Sequence, residues 1–117
     1  MSVVGYVIEM TINEGSLDEF KEKAAGYIDG VQANEPDTLV YEWYLAEDGS
    51  RALLQEMFTN TDAMLTHLGN VGESLPSLLA IAPITRFEVI GSVTDAAKEA
   101  LEAFNAVHFP HMAGFTR

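Results

Sequence analysis

The stretch that decides the fold is Arg51-Ala-Leu-Leu-Gln-Glu-Met-Phe-Thr-Asn-Thr-Asp-Ala-Met-Leu-Thr-His67. Its first half, Ala52–Thr59, is apolar with two polar interruptions, which predicts a largely buried strand. Asn60, Thr61 and Asp62 then provide side-chain acceptors of the kind that cap the N-terminus of a helix. The apolar residues that follow have helical spacing: Ala63, Met64, Leu65 and Leu68. The segment therefore predicts a strand that leads directly into a short amphipathic helix.

Two ionisable side chains of this strand–helix unit are the candidate catalytic residues. Glu56 is inside the strand, where a charge is costly unless it has a partner or a task, and His67 is on the last full turn of the helix. His67 could exchange a proton with a substrate near neutral pH, or it could bond to Glu56 in a purely structural role. Glu56 could orient His67 or bind a substrate hydroxyl, or it could form a buried ion pair with Arg51 or Arg86.

The segments before this unit predict a strand, a helix and a hairpin. Val3–Ile12 is rich in β-branched and aromatic residues and predicts a first strand. Ser16 followed by Glu19 has the spacing of a capping box, and apolar residues then recur with helical spacing for about four turns. Thr38–Ala46 predicts a second strand, which the tight turn Glu47-Asp-Gly-Ser connects to the strand of the opening segment as an antiparallel hairpin.

The segments after this unit predict two more helices and one more strand. Ser74 can cap a short helix from Pro76 to Ile81, and Ile84–Val93 predicts a fourth strand. Thr94 and Asp95 cap a final helix that runs through Phe104, and we expect the aromatic tail beyond it to be docked. This order predicts an α+β fold of the ferredoxin-like split βαβ type with a four-stranded antiparallel sheet. Residues 1–117 are expected to form a single domain, with the C-terminal helix and docked tail from about residue 94.

Composition limits the classes of partner. The net charge of −12 argues against nucleic acid and anionic membrane partners, which require a basic surface. The absence of cysteine excludes disulfides, thiol nucleophiles and thiolate metal sites, and the histidines lack the spacing of metal ligands. No basic segment of a signal peptide stands at the N-terminus, so we expect a cytoplasmic protein.

Aromatic residues around the hairpin are candidate substrate contacts. Tyr41, Trp43 and Tyr44 offer flat surfaces on which an aromatic ligand could stack, and Phe58 and Met64 could line the same pocket. Each of them could instead be a core or dimer contact. Both faces of the second strand are apolar, and helices can cover only one of them, so we expect a homodimer that covers the other.

Two runs carry a resemblance to a known family: Glu35-Pro-Asp-Thr-Leu-Val-Tyr41 and Glu56-Met-Phe-Thr-Asn-Thr-Asp-Ala63, the second followed by His67. They resemble the antibiotic biosynthesis monooxygenase (ABM) domain family, of the dimeric α+β barrel class, over about residues 3–93. The resemblance implies a Glu in the third strand, an aromatic residue two positions later, and Ala and His on the next helix.

The resemblance also implies a function. It favours a cofactor-independent monooxygenase that acts with O₂ on a small phenolic or quinol-like substrate, with His67 as the base and Glu56 as its orienting residue. The alternatives are a non-enzymatic dimer that binds a small aromatic or lipid-like ligand, and an isomerase or lyase that uses the same pocket without O₂.

Overall fold

The computed structural model describes residues 3–117. Its strands are Val4–Thr11 (β1), Thr38–Leu45 (β2), Arg51–Phe58 (β3), Ile84–Ile90 (β4) and Val107–Phe109 (β5). Its helices are Leu17–Asn34 (α1), Thr61–Val71 (α2), Leu75–Leu79 (α3) and Asp95–Leu101 (α4), and a 3₁₀ turn follows at Glu102–Phe104. The α+β ferredoxin-like fold predicted from the sequence is confirmed.

The strands form one sheet in the order β2-β3-β1-β4-β5. All neighbouring pairs are antiparallel except β4 and β5, which are parallel. Tyr6 is opposite Glu56 on β3 and opposite Val89 on β4, and Glu56 is opposite Tyr41 on β2. Because side chains alternate across a strand, this register places Tyr6, Glu56 and Tyr41 together on the face that the helices cover.

The core lies between this face and the helix layer. It contains the even-numbered residues of β1, together with Leu54, Phe58, Phe87 and Val89 from the neighbouring strands. Gly5 allows β1 and β3 to pair closely, since a Cβ at this position would collide with the carbonyl oxygen of Glu56 and the sulfur of Met57. A side chain at residue 5 would therefore displace the strand that carries Glu56.

The sheet has five strands, whereas the sequence predicted four. The additional strand, β5, is formed by the start of the aromatic tail, which docks on β4 as far as Phe109. Beyond it Met112 and Phe115 are largely exposed.

Two of the four predicted helix caps are present. The side chains of Asn60 and Thr94 accept hydrogen bonds from the backbone N–H groups of Ala63 and Ala97. Ser16 and Ser74 make no such bond, so the predicted capping box and the cap of the short helix are wrong. The difference follows from the backbone, because Asn60 and Thr94 are extended, as a capping residue requires, whereas Ser16 and Ser74 have ψ near 0°.

The face of the sheet opposite the helices, which we call the outer face, is exposed and partly apolar. The large apolar residues exposed on it are Tyr44, Leu53, Ile90, Val107 and Phe109. Within residues 3–117, none of the helices has both the length and the apolar character that crossing a membrane requires.

Candidate active site

His67 is held at the centre of a buried cluster of polar groups. Asn60 caps the helix, and His67 follows two turns later with only 2% of its surface exposed. Its Nδ1 lies 2.8 Å from Oε1 of Glu35, and its Nε2 lies 2.9 Å from Oε1 of Glu56. The imidazole is therefore placed between two buried carboxyl groups that come from opposite ends of the sheet–helix interface.

Glu35 fixes the orientation of the imidazole. It follows the last residue of α1, and Pro36 restricts its backbone to a non-helical conformation. Its carboxyl group also accepts hydrogen bonds from Thr38 Oγ1 at 2.9 Å and from Asn70 Nδ2 at 3.1 Å. Glu35 thus holds the Nδ1 side of the ring while it is itself fixed by two donors, and the Nε2 side of the ring is directed at Glu56.

Glu56 occupies the other side of the ring. It is 3% exposed, and its Oε1 lies 2.9 Å from Nε2 of His67. The carboxyl group is also close to Tyr6. Glu56 therefore lies between the imidazole of His67 and the side chain of Tyr6, and it borders the inner cavity.

The shared environment shifts the titration of these groups. Burial raises the pKa of Glu56 above its ordinary value of 4.5, although His67 and Tyr6 favour its ionised form. Burial lowers the pKa of His67, but Glu56 and Glu35 outweigh burial and bring this pKa above 6.5. Burial and the neighbouring Glu56 also raise the pKa of Tyr6, which therefore keeps its proton.

A small inner cavity adjoins His67 and Glu56. Its volume is about 40 Å³, and it lies between the sheet and the helix layer. The wall is mostly apolar and aromatic, and includes Tyr27, Trp43 and Phe104. The polar side chains in this wall are those of His67, Glu56, Trp43, Tyr6, Tyr27 and Tyr41.

The structure brings some of the predicted substrate contacts to this cavity and not others. Tyr41 and Trp43 line it, and the ring of Tyr41 is 5.3 Å from that of His67. Phe58 packs against His67, with 5.4 Å between ring centroids, but lies outside the cavity wall. Met64 is fully buried in the core, and Tyr44 lies on the outer face, away from His67.

The cationic partners considered for Glu56 lie elsewhere. Arg51 pairs with Glu9 at 3.0 Å and Arg86 with Glu88 at 2.9 Å, and all four side chains are on the outer face. The charge partner of Glu56 is therefore the imidazole alone. In the part of the chain from residue 3 onwards, no group of three or more His, Asp or Glu side chains is arranged to hold a metal ion.

Sequence reasoning missed three contributors to the site. From the sequence, Glu35 enters only as the first residue of the run that resembles the family, and Tyr6 and Tyr27 are given no role in the site. The available signal for Glu35 was that the family-like run begins with it, which is unusual for an exposed turn. Tyr6 could have been found from the strand alternation that places it beside Ile8 and Met10.

The sequence profile of the antibiotic biosynthesis monooxygenase family matches residues 3–72, which include Tyr6, Glu35, Glu56 and His67. The chain belongs to this family. A comparison with curated proteins gave no match.

Solved structures of similar proteins have the same fold. MupZ from Pseudomonas fluorescens is 25% identical, with a TM-score of 0.88 over 98% of this chain and 94% of its own. Rv0793 from Mycobacterium tuberculosis is 15% identical, with a TM-score of 0.67 over 80% and 98%. SnoaB from Streptomyces nogalater, a cofactor-independent oxygenase whose N63A mutant was solved, is 17% identical, with a TM-score of 0.63 over 79% and 94%.

Proposed function

We propose that this protein is a cofactor-independent monooxygenase that acts on a small phenolic or quinol-like substrate. The observation that carries the proposal is the buried His67, which lines the inner cavity beside Glu56 while Glu35 holds its Nδ1 at 2.8 Å. An imidazole fixed in this way is a general base for a substrate hydroxyl. The family and the description of SnoaB as a cofactor-independent oxygenase support the same chemistry.

The reaction needs only proton transfers from the protein. Nε2 of His67 takes the phenol proton, and the phenolate supplies electrons to O₂, so that a C–O bond forms at a ring carbon. The proton returns to the outer oxygen to give a hydroperoxide. His67, neutral again, takes the hydrogen on that carbon as a proton, and cleavage of the O–O bond then gives a quinone and one water; this proton afterwards passes from His67 to Glu56, 2.9 Å away. Glu56, whose pKa is raised, is the group placed to protonate the departing oxygen.

The inner cavity restricts how such a substrate can bind. A cavity that admits benzene has about 150 Å³, so 40 Å³ accommodates a hydroxyl group and its neighbouring atoms rather than a complete ring. A phenol ring can enter only if an aromatic wall residue, such as Tyr27 or Phe104, moves aside.

A second candidate is an isomerase or lyase that works without O₂. The specific observation in its favour is that Glu56 and His67 border the same cavity with raised pKa values, which provides an acid and a base side by side. Such a pair suffices to move a proton between two positions of a substrate or to assist the departure of a hydroxyl group.

Oxygen uptake with a panel of quinols tests the first candidate. The wild type is compared with His67→Gln and with Tyr44→Phe, a matched control on the outer face. We expect His67→Gln to lower the rate on the order of 10²–10⁴-fold and Tyr44→Phe to have little effect. If His67→Gln keeps its activity within a few-fold of the wild type, the mechanism is wrong.

Product analysis without O₂ separates the remaining possibilities. Turnover under anaerobic conditions that is lost in His67→Gln would assign the isomerase or lyase reaction. Ligand binding with no turnover in either atmosphere would assign a non-enzymatic binding protein for a small aromatic or lipid-like ligand.

We further propose that the protein is a homodimer joined through the outer face. Tyr44, Leu53, Ile90 and Phe109 are each at least 40% exposed there, and a stable interface buries about 800 Å² per partner. The net charge of −12 opposes association, but physiological salt screens repulsion beyond roughly 8 Å.

Sedimentation at micromolar concentration tests this assembly. We expect the wild type to sediment as a dimer and Leu53→Glu as a monomer. Gln32→Glu, which adds the same charge to an exposed position of α1, is the control and should remain dimeric. A wild-type protein that sediments only near 12.8 kDa would contradict the proposal.

A further inference from the structure

A second, larger cavity lies directly outside the inner one. It is a groove of about 540 Å³ between α1 and the segment that contains α2 and α3, and we call it the outer groove. Tyr27 and Val71 line both the outer groove and the inner cavity. Glu35 lines the groove while its carboxyl group bonds His67, so the groove reaches the back of the proposed catalytic histidine.

The volumes of the two cavities indicate which part of a substrate each of them can hold. The inner cavity holds about three water molecules at roughly 10–15 Å³ each, which is room for a reacting group but not for a whole molecule. The imidazole of His67 and the carboxyl group of Glu56 in its wall indicate that a polar ligand group belongs in it. The remainder of a substrate must lie elsewhere, and the outer groove is the adjoining space.

Two glycines in the wall of the groove support its use by a ligand. Gly26 and Gly30 are in the interior of α1, one turn apart, where each glycine costs about 1 kcal/mol of helix stability relative to alanine. A Cβ atom at either position would meet no protein atom within 4 Å. Packing within the protein therefore does not require glycine at these positions, and a side chain would project into the groove instead.

The polar groups of the groove favour a neutral chain. The hydroxyl groups of Ser74 and Ser77 donate to backbone carbonyls, at 3.1 and 2.9 Å, and keep acceptor positions for a ligand hydroxyl. The amide groups of Asn34 and Asn70 each use one N–H, on Gly30 and Glu35, and have a second N–H that can donate to a ligand oxygen. The basic residue Lys23 is 3.7 Å from Glu19, and Glu35 is bonded to His67, so both charges are already matched. A ligand here meets hydroxyl and amide groups rather than a free charge.

We propose that the outer groove binds a neutral, oxygen-bearing chain of a substrate whose reacting end occupies the inner cavity. The substrate is therefore an extended molecule rather than a bare ring. From Lys23 to Asn34 the groove follows α1 for about 16 Å, at 1.5 Å per residue, which sets the length of chain that it accepts. This inference extends the proposed function and rests on its assignment of the reacting end to the inner cavity.

Binding measured by tryptophan fluorescence tests the groove without requiring turnover. Trp43 is the only tryptophan of the chain and lines the inner cavity, so its emission reports a ligand that arrives there. The two probes are 4-methoxyphenol, which has only the reacting end, and the mono-4-hydroxyphenyl ether of tetraethylene glycol, which adds a neutral oxygenated chain. The readout is the ratio of their Kd values.

Three proteins are compared: the wild type, Gly30→Leu and Gly69→Leu. Gly69 is the matched control, because it is also inside a helix, with open space around its Cβ position, and it lines neither cavity. We expect the longer probe to bind wild type and Gly69→Leu about ten-fold more tightly than the short one. In Gly30→Leu this ten-fold ratio should fall to near one.

The outcomes separate the groove from the chemistry. A ratio near one in the wild type, or a ratio that survives in Gly30→Leu, would overturn the role of the groove. If neither probe binds, both the groove and the phenolic substrate class are wrong. The expected ratios without oxygen uptake would support the groove and reject the oxygenase.

Discussion

Replacing His67 by alanine tests the buried cluster through stability. The substitution removes the only charge partner of Glu56 and one of three contacts of Glu35, and both carboxyl groups remain buried. Removing one member of a buried charged pair costs about 3–5 kcal/mol, because the other member is left uncompensated.

The loss can be converted into a melting temperature. A chain of 117 residues unfolds with an entropy of about 0.25 kcal/mol per kelvin, so a loss of 3–5 kcal/mol lowers Tm by about 12–20 °C. Thermal unfolding followed by circular dichroism measures this shift. Adding Glu56→Gln to His67→Ala should recover part of the stability, because the second change removes a buried charge.

The pH dependence provides a second check. The pKa of Glu56 is raised in the folded protein, so protonation of Glu56 stabilises the fold. This stabilisation is complete below about pH 4.5 and is lost as the pH rises through the pKa that Glu56 has in the folded protein. Without His67 only Tyr6 opposes this loss, and the deficit of His67→Ala should grow as the pH rises above about 4.5. A deficit below about 1 kcal/mol at neutral pH, with no recovery in the double variant, would refute the energetic coupling of the cluster.

Three further predictions concern the site, the cap of α2 and the absence of cofactors. Glu56→Gln should lower the pKa of His67, since Glu56 is the main group that raises it. An NMR titration measures this pKa, and an unchanged value would contradict the contact between Glu56 and His67. Asn60→Ala should cost about 1 kcal/mol, or about 4 °C in Tm, whereas Ser16→Ala should stay within about 0.5 kcal/mol because Ser16 caps nothing; equal losses would contradict the assignment. The purified protein should contain no stoichiometric metal, flavin or haem, since the sequence lacks cysteine and ligand spacing; elemental analysis or a visible absorption band would show otherwise.

Secondary structure is predicted best from the sequence where several local signals agree. The strand–helix unit from residue 51 to residue 67 combines a buried apolar run, a capping residue and helical spacing, and β3, Asn60 and α2 follow the prediction. β5 has only three residues and is followed by Pro110, so it shows too little alternation to be recognised.

The candidate site depends on contacts that local patterns do not contain. His67 and Glu35 are 32 positions apart, and their contact exists only because α1 ends beside α2. The sequence paired His67 with Glu56 as its orienting residue, whereas the structure adds Glu35 on the other ring nitrogen and leaves Glu56 on the cavity side. The choice between the two faces of β2 likewise required the register, which places Trp43 inward and Tyr44 outward.

The inner cavity joins two parts of the chain that differ in their relation to the family. Tyr6, Glu35, Glu56 and His67 all lie within the family-matched residues 3–72. Much of the opposing wall comes from later segments: Leu75, Leu78, Ile84, Phe87 and Phe104. Under the proposed function, the groups that transfer protons lie in the part of the chain that matches the family, and the residues after 72 select the substrate. Exchanging residues after 72 between related proteins would then transfer substrate preference and leave the titration of His67 in place.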